Sequence, residues 1–254
     1  MNVKIIVAAH KQYWMPNDSL YLSLYVGSAG NPSIEGFQRD DAGAHISERN
    51  ASFCELTGIY WAWKNLDADY IGLAHYRRYF ARRFGFSKKG RIATRETIER
   101  ALAKTDVILP KERQYYIETS YSHYAHAHHE QDLILTREIL LEHCPDYLAA
   151  WERVMNRTHG HRFNIFVMKK ELLNRYLDWL FDMLFTLETR LDISTYTGTD
   201  RRAFGYVSER LLDVWIEHNQ IPYVELPVVN LENQHWLSKI LNFLKRKFAY
   251  RNVE

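Results

Sequence analysis

The chain has 254 residues, of which 46% are hydrophobic and 25% charged, with a formal net charge of +2. That length suits one large domain or two small ones, the composition is that of a soluble globular protein, and the balanced charge points to no nucleic-acid partner. Two cysteines, Cys54 and Cys144, make neither a disulfide framework nor a Cys-x-x-Cys metal signature. Both read as small buried hydrophobes in a reducing, cytoplasmic compartment.

The chain enters a first strand at Lys4–Ala9 without the charged lead, apolar core and cleavage site of a signal peptide. A second strand is expected at Tyr21–Val26. Ser52-x-x-Glu55 then predicts a capping box ahead of a helix from Leu56 to Lys64. Tyr70–Ala74 is a near-continuous apolar run, the pattern of a buried parallel strand, and it leads directly into His75-Tyr76-Arg77-Arg78. Arg82–Arg91 is polar and basic and predicts a mobile loop. A helix over Thr94–Ala103 and a strand over Asp106–Leu109 follow, and residues 111–129, rich in Tyr and His, are expected to be irregular.

Helices are predicted at about 131–143 and 146–157, a strand at Phe163–Met168, and a long amphipathic helix at Leu172–Leu191. Charges at Arg175, Asp178, Asp182 and Glu188 exclude that helix as a membrane span. A helix near Val207–His218 and a strand at Tyr223–Val229 close the pattern. The alternation predicts an α/β domain over residues 1–232, a mostly parallel sheet flanked by helices. Trp236–Arg251 holds five cations, no acid and an apolar side, so residues 233–254 read as a basic amphipathic helix for a membrane surface, or as a terminal helix docked on the core.

In open α/β sheets ligands sit beyond the carboxyl ends of strands. His75, Arg77 and Arg78 at such an end describe a site for a diphosphate or a carboxylate, although a solvated basic turn has the same sequence. The chain has no Gly-x-Ser-x-Gly elbow and no phosphate-binding glycine fingerprint. His123, His126, His128 and His129 invite a metal, and hence a metal-dependent hydrolase, but lack ligand spacing. The acids Asp40, Asp41, Glu55, Asp132, Asp200 and Glu209 are candidates for acid–base work. Several have structural roles to compete with, Glu55 in the capping box and Glu209 in a first helical turn near Arg202 and Arg210.

Six segments, Ala8-Ala9-His10-Lys11, Asp41-x-Gly-x-x-Ile-Ser-x-x-Asn50, Phe53 to Asn65 (FCELTGIYWAWKN), Gly72 to Phe80 (GLAHYRRYF), Phe163 to Lys170 and Gly205 to Leu212, occur in an order and spacing that resembles one family. It is that of bacterial capsular-polysaccharide and exopolysaccharide glycosyltransferases first defined as a domain of unknown function. The resemblance spans roughly residues 3–230 and implies a glycosyltransferase A-type, Rossmann-like fold that binds a nucleotide-sugar.

That fold usually places Asp-x-Asp after a central strand to hold a divalent metal on the diphosphate, whereas this chain has His75-Tyr76-Arg77. Arginines match phosphate oxygens bidentately, so no metal cofactor is expected, with manganese or magnesium, ligated by His75 and an acid from elsewhere, left as an alternative. By position the resemblance assigns Ala9, His10 and Gly27 to the nucleoside pocket and Asp41 and Asn50 to base, ribose or sugar. Asn164 falls on the acceptor side, with Glu55, Arg78 and Arg202 completing substrate contacts. Glu209 is then the base that deprotonates the acceptor, beside Arg77 and His75 at the leaving group. The function implied is transfer of a hexose, galactose as pyranose or furanose, from a UDP-sugar to a lipid-linked oligosaccharide on the inner face of the cell membrane. A binding module of the same fold without turnover is the alternative.

Overall fold

A computed structural model describes residues 1–232; the helix expected within 233–254 lies outside the described residues. Strands β1 (Val3–Ala9), β2 (Tyr21–Tyr25) and β3 (Gln38–Arg39) precede helices α1 (Asn50–Phe53) and α2 (Leu56–Asn65). Next come β4 (Tyr70–His75), β5 (Arg78–Phe80), α3 (Arg95–Leu102), β6 (Val107–Pro110), β7 (Arg113–Gln114), α4 (Ser120–Ala127), α5 (Glu130–His143) and α6 (Leu148–Asn156). The described chain ends with β8 (His159–Gly160), β9 (Phe166–Lys169), α7 (Lys170–Arg190), α8 (Ala203–His218), β10 (Val224–Leu226) and β11 (Val228–Asn230).

The main sheet runs β10-β6-β9-β4-β1-β2-β3, with β5 joining β4 to β11. β1 is parallel to β2 and β4, and β6 to β10, while β9 is antiparallel between β4 and β6. Because side chains alternate across a strand, Ile6 and Ala8 face one apolar layer with α2 and α5 to α8, and Ile5 and Val7 face a smaller one with α3 and β5. Central strands buried on both faces account for the apolar runs that mark them in the sequence. Gly72 allows a close approach to β9, since a Cβ there would stand 2.8 Å from the Phe166 carbonyl oxygen. The carboxyl ends of β1, β2 and β4 reach one edge in register, Ala9 opposite Tyr25 and Ala8 opposite His75.

Several boundaries differ from expectation, each for a local reason. The Ser52–Glu55 capping box does not form. Cys54, at φ +53°, breaks the run into α1 and α2, and Ser52 Oγ donates to the Arg49 carbonyl instead. Residues 111–129 contain α4, started by a reciprocal cap in which Thr119 Oγ1 accepts from Ser122 N and Ser122 Oγ from Thr119 N. The polar sequence of that helix hides it from a search for apolar periodicity. The strand expected from Phe163 starts at Phe166, because Phe163 and Asn164 are left-handed. α8 begins at Ala203, which moves Glu209 from a first helical turn to the second and removes the argument from the helix dipole. Pro227 divides the last expected strand, so β10 pairs with β6 and β11 crosses to β5.

Candidate active site

At the carboxyl edge of β1 and β4 a cavity of about 230 Å³ opens between the β4–β5 hairpin, the Phe163–Asn164 turn, α4 and α8. Six arginines line it, Arg77, Arg78, Arg113, Arg162, Arg202 and Arg210, against two carboxylates, Glu55 and Glu209. Three of those arginines are tied to acids. Arg77 pairs with Glu232 at 3.2 Å, Arg210 with Glu209 at 3.1 Å and Arg162 with Asp213 at 3.2 Å. Arg78, Arg113 and Arg202 have no carboxylate at ion-pair distance among the described residues. Among the described residues, the buried Nε atoms of Arg77, Arg78 and Arg210 and His123 Nδ1 have no hydrogen-bond partner. Buried polar atoms are normally satisfied, so this orphaned, cationic lining describes a receptor for an anion.

The local charge acts on the histidines. Burial, reinforced by Arg210, Arg113 and Arg162, depresses His123 to about 3. Burial also lowers His75 against the pull of Glu55, and lowers His128 and His10. His75 is therefore neutral, and its Nε2 donates to the Phe163 carbonyl at 2.6 Å. Burial and the adjacent Arg77 lower Arg78, whose guanidinium lies 4.1 Å from the Phe163 ring centre.

Strain concentrates at the same place. Phe163 and Asn164 have φ of +79° and +51°, and Cys54 +53°. Such residues persist only where their surroundings over-determine them. Phe163 N donates to Glu209 Oε1 at 3.0 Å, and Asn164 Nδ2 donates to Glu55 Oε1 at 2.7 Å and to the Gly205 carbonyl at 3.0 Å. Ser208 Oγ donates to Asn164 Oδ1 at 3.0 Å. The turn at Cys54 delivers Glu55 to this network, 3.8 Å from His75 Nε2. Glu55 Oε2 accepts no hydrogen bond from the described residues, whereas both oxygens of Glu209 are engaged.

The structure thus brings together Glu55, His75, Arg77, Arg78, Arg202 and Glu209 on the cavity wall, with Asn164 directly behind Glu55. His10 does not line the cavity; it feels the charges of Arg202 and Arg77, and its ring is edge-on to Tyr76 at 5.4 Å, where Tyr76 stacks on Tyr13 at 3.7 Å. Ala9 is the buried end of β1. Three expected contacts are occupied otherwise and do not line the cavity. Gly27 (φ +67°) closes against Asn50, where a Cβ would meet the side chain at 2.7 Å. Asn50 Nδ2 donates to the Cys54 carbonyl and Thr57 Oγ1, and Asp41 is bound by Arg39 at 2.6 Å. Asp40 is buried and structural, accepting from Gly27 N, Ser28 N, Ser28 Oγ, Ser47 Oγ and Thr57 Oγ1. Sequence reasoning missed Arg113, Tyr115 and Arg162. The one signal available was the place of Arg113 and Tyr115 in the Tyr- and His-rich stretch and of Arg162 directly before Phe163.

At the end of β4 a divalent cation on a diphosphate would meet Glu55, through its unengaged oxygen, and a histidine whose Nε2 is committed to a carbonyl. These stand in place of the paired carboxylates of Asp-x-Asp, and waters and phosphate oxygens would have to supply the rest of its shell. The four clustered histidines do not converge, as His126 pairs with Glu118 and His128 and His129 turn to Asp200. Among the described residues Glu112, His161 and Glu225 have ligand atoms within 4.8 Å of one another. His161 Nδ1 is 2.5 Å from Asp213 and its Nε2 3.2 Å from Glu225. Burial would lower His161, but the Asp213 hydrogen bond and the surrounding acids outweigh it and raise it. The imidazolium closes this cluster by itself.

An α/β sheet whose strand ends meet an arginine-lined, strained cleft defines the class, a mixed, mostly parallel α/β protein with a cationic cleft where such folds place their ligands. Residues 4–220 match the family model described as Domain of unknown function (DUF4422), and the chain belongs to that family. It is also similar to the apo structure of the WbbM bifunctional glycosyltransferase, with 29% identity and a TM-score of 0.83. That similarity covers 92% of this chain and 46% of the other, so the chain spans less than half of that protein's length. No curated protein matches it in sequence. Among the described residues no helix is long and apolar enough to cross a membrane.

Proposed function

We propose that the chain is a glycosyltransferase that moves a hexose from a UDP-sugar to a lipid-linked oligosaccharide, in the building of a capsule, exopolysaccharide or O-antigen. Galactose is the donor sugar the family resemblance favours. The observation that carries the reading is the excess of cavity arginines with no carboxylate at ion-pair distance among the described residues. Arg78, Arg113 and Arg202 offer planar donors to a diphosphate, and the glycosyltransferase activity named for the structural relative agrees with that ligand.

In this mechanism a carboxylate takes the proton of the acceptor hydroxyl, whose oxygen bonds to C1 of the sugar. The C1–O bond to the diphosphate breaks, its electron pair leaves with the nucleotide, and the guanidinium groups stabilise the developing charge. Glu55 is the favoured base because one of its oxygens is unengaged. Asn164 holds the other oxygen, and His75 positions the turn that presents Asn164. Glu209, the base expected from sequence, is the second reading, from its place on α8 at the cavity wall. Residues 1–232 would form the transferase unit, with 233–254 assisting at the inner membrane face.

The test is transfer from a panel of UDP-hexoses to a polyprenyl-diphosphate-linked acceptor, with and without manganese. A general base contributes roughly 10²- to 10⁴-fold. Glu55→Gln should lose that much in kcat, and Glu209→Gln should lose it instead if Glu209 is the base. Nucleotide-sugar binding without transfer or donor hydrolysis would favour a binding module and reject the transferase.

A further inference from the structure

Away from the cavity, the loop between β5 and α3 has an unusual surface. Residues 82–91 read Arg-Arg-Phe-Gly-Phe-Ser-Lys-Lys-Gly-Arg, with five cations, two phenylalanines and no acid. Its base is zipped. Ala93 N donates to the Phe80 carbonyl at 2.8 Å, Ala81 bridges Ile92, and Arg82 N donates to the Arg91 carbonyl at 2.8 Å. The tip folds on itself, because Arg82 Nε donates to the Gly90 carbonyl at 2.8 Å and Gly90 N to Ser87 Oγ at 3.0 Å. Gly85 lies so near the Gly90 carbonyl that a Cβ would stand 2.5 Å from it. The fold of the tip leaves Phe84 75% exposed and Phe86 completely so. Trp14, 45% exposed, extends the patch, with the Lys89 ammonium 4.2 Å from its ring centre.

Large aromatic side chains grouped in water mark an interaction surface. Here the group is interleaved with cations alone. A bilayer interface takes aromatic rings at the headgroup level, and anionic lipid attracts Lys and Arg within a Debye length of its surface. We propose that residues 82–91, with Trp14, dock the protein on an anionic lipid bilayer. Lys88 Nζ donates to the carbonyls of Leu231 and Glu232 at 3.4 and 3.1 Å, and Glu232 pairs with the cavity arginine Arg77. The docking loop and the cavity rim are therefore physically continuous. A docked molecule presents its cavity beside the headgroups, where a lipid-linked acceptor would lie.

The docking claim stands without the transferase reading, and its test contains no sugar or nucleotide, so either can fail alone. The full chain is sedimented with phosphatidylethanolamine vesicles containing phosphatidylglycerol, and with phosphatidylcholine vesicles. Wild type should prefer the anionic vesicles. Phe84→Ser/Phe86→Ser and Arg83→Ala/Lys89→Ala should each bind them about tenfold more weakly with unchanged thermal midpoints, the side chains being outside the core. Lys245→Gln/Arg246→Gln/Lys247→Gln should leave the loop-dependent part of the binding in place. Wild-type binding without preference for anionic lipid overturns the proposal. So does undiminished binding by Phe84→Ser/Phe86→Ser, which would move the contact to residues 233–254. Absence of vesicle binding overturns it as well and would assign the patch to a protein partner.

Discussion

Asn164 is the residue through which the strained turn, Glu55 and α8 hold one another. Its amide donates to Glu55 and to the Gly205 carbonyl while its oxygen accepts from Ser208. Asn is among the few residues that tolerate a left-handed backbone, so the position asks for both a particular φ and a bifunctional side chain. Asn164→Ala takes from Glu55 Oε1 its hydrogen-bond donor, while the Gly205 carbonyl keeps the Ser208 hydroxyl at 2.8 Å, and it adds backbone strain. The expected loss is about 2–4 kcal/mol of unfolding free energy by denaturant titration. Asn164→Gly removes the strain but not the lost bonds, so it should recover part of the stability and none of the activity. Equal stability of the two variants would show that φ at this position is not strained. Arg78 has a different effect, because among the described residues no carboxylate pairs with it at ion-pair distance, Glu209 and Glu55 acting on it only from farther off. Arg78→Ala should leave stability nearly unchanged while weakening UDP binding by roughly tenfold or more, as expected for a lost charge-assisted contact of about 1.5–3 kcal/mol.

At the scale of elements, the Asp40 carboxylate joins the end of β2, the start of the loop after β3, and α2 through five hydrogen bonds. Gly27 and Asn50 are closed into the same corner. These residues hold α1 and the Cys54 break in place, and through them Glu55. Asp40→Ala strands several buried donors, and its expected cost is about 3–5 kcal/mol. Asp40→Asn should cost less, since its oxygen still accepts from part of the set. Thermal denaturation of the two variants, read beside transfer activity, distinguishes a corner that only stabilises from one that also aims Glu55. In the second case Asp40→Asn loses activity while still fully folded.

Over the whole molecule, the burial of histidines, reinforced by the nearby arginines, makes folding depend on pH in a defined direction. His123 is held near 3, and His75, His128 and His10 are also below the ordinary histidine value. In the unfolded chain such groups take up protons around 6.5. Between about 6.5 and 3 the unfolded state therefore binds more protons than the folded state, and stability falls as pH falls. Each such histidine contributes a slope approaching about 1.4 kcal/mol per pH unit. His161 works the other way. Its raised value adds stability that is full below 6.5 and is lost only as pH rises through its folded value. Chemical denaturation across that window should show acid destabilisation that His123→Gln partly flattens, and an unchanged slope would reject the buried neutral His123.

Much of the sheet was legible because central strands buried on both faces must be apolar where they cross the core, as Ile5–Ala9 and Ile71–Ala74 are. The long helix α7 was legible because its apolar stripe repeats at helical spacing. His75, Arg77 and Arg78 stood out for a related reason, being polar groups that abruptly end such a strand. What only the tertiary structure decided is which distant groups meet there. Glu55 reads in sequence as a capping residue, and Ser52 as its partner. A left-handed Cys54 turns Glu55 instead onto Asn164, 109 residues away in the chain. α4 and the Phe163–Asn164 turn escaped notice because a reciprocal cap and long-range hydrogen bonds make them, and neither leaves a periodic trace. Local sequence encodes burial, since burial recurs with the period of each element; the cavity arises from side chains that pair across the fold, and their pairing has no period.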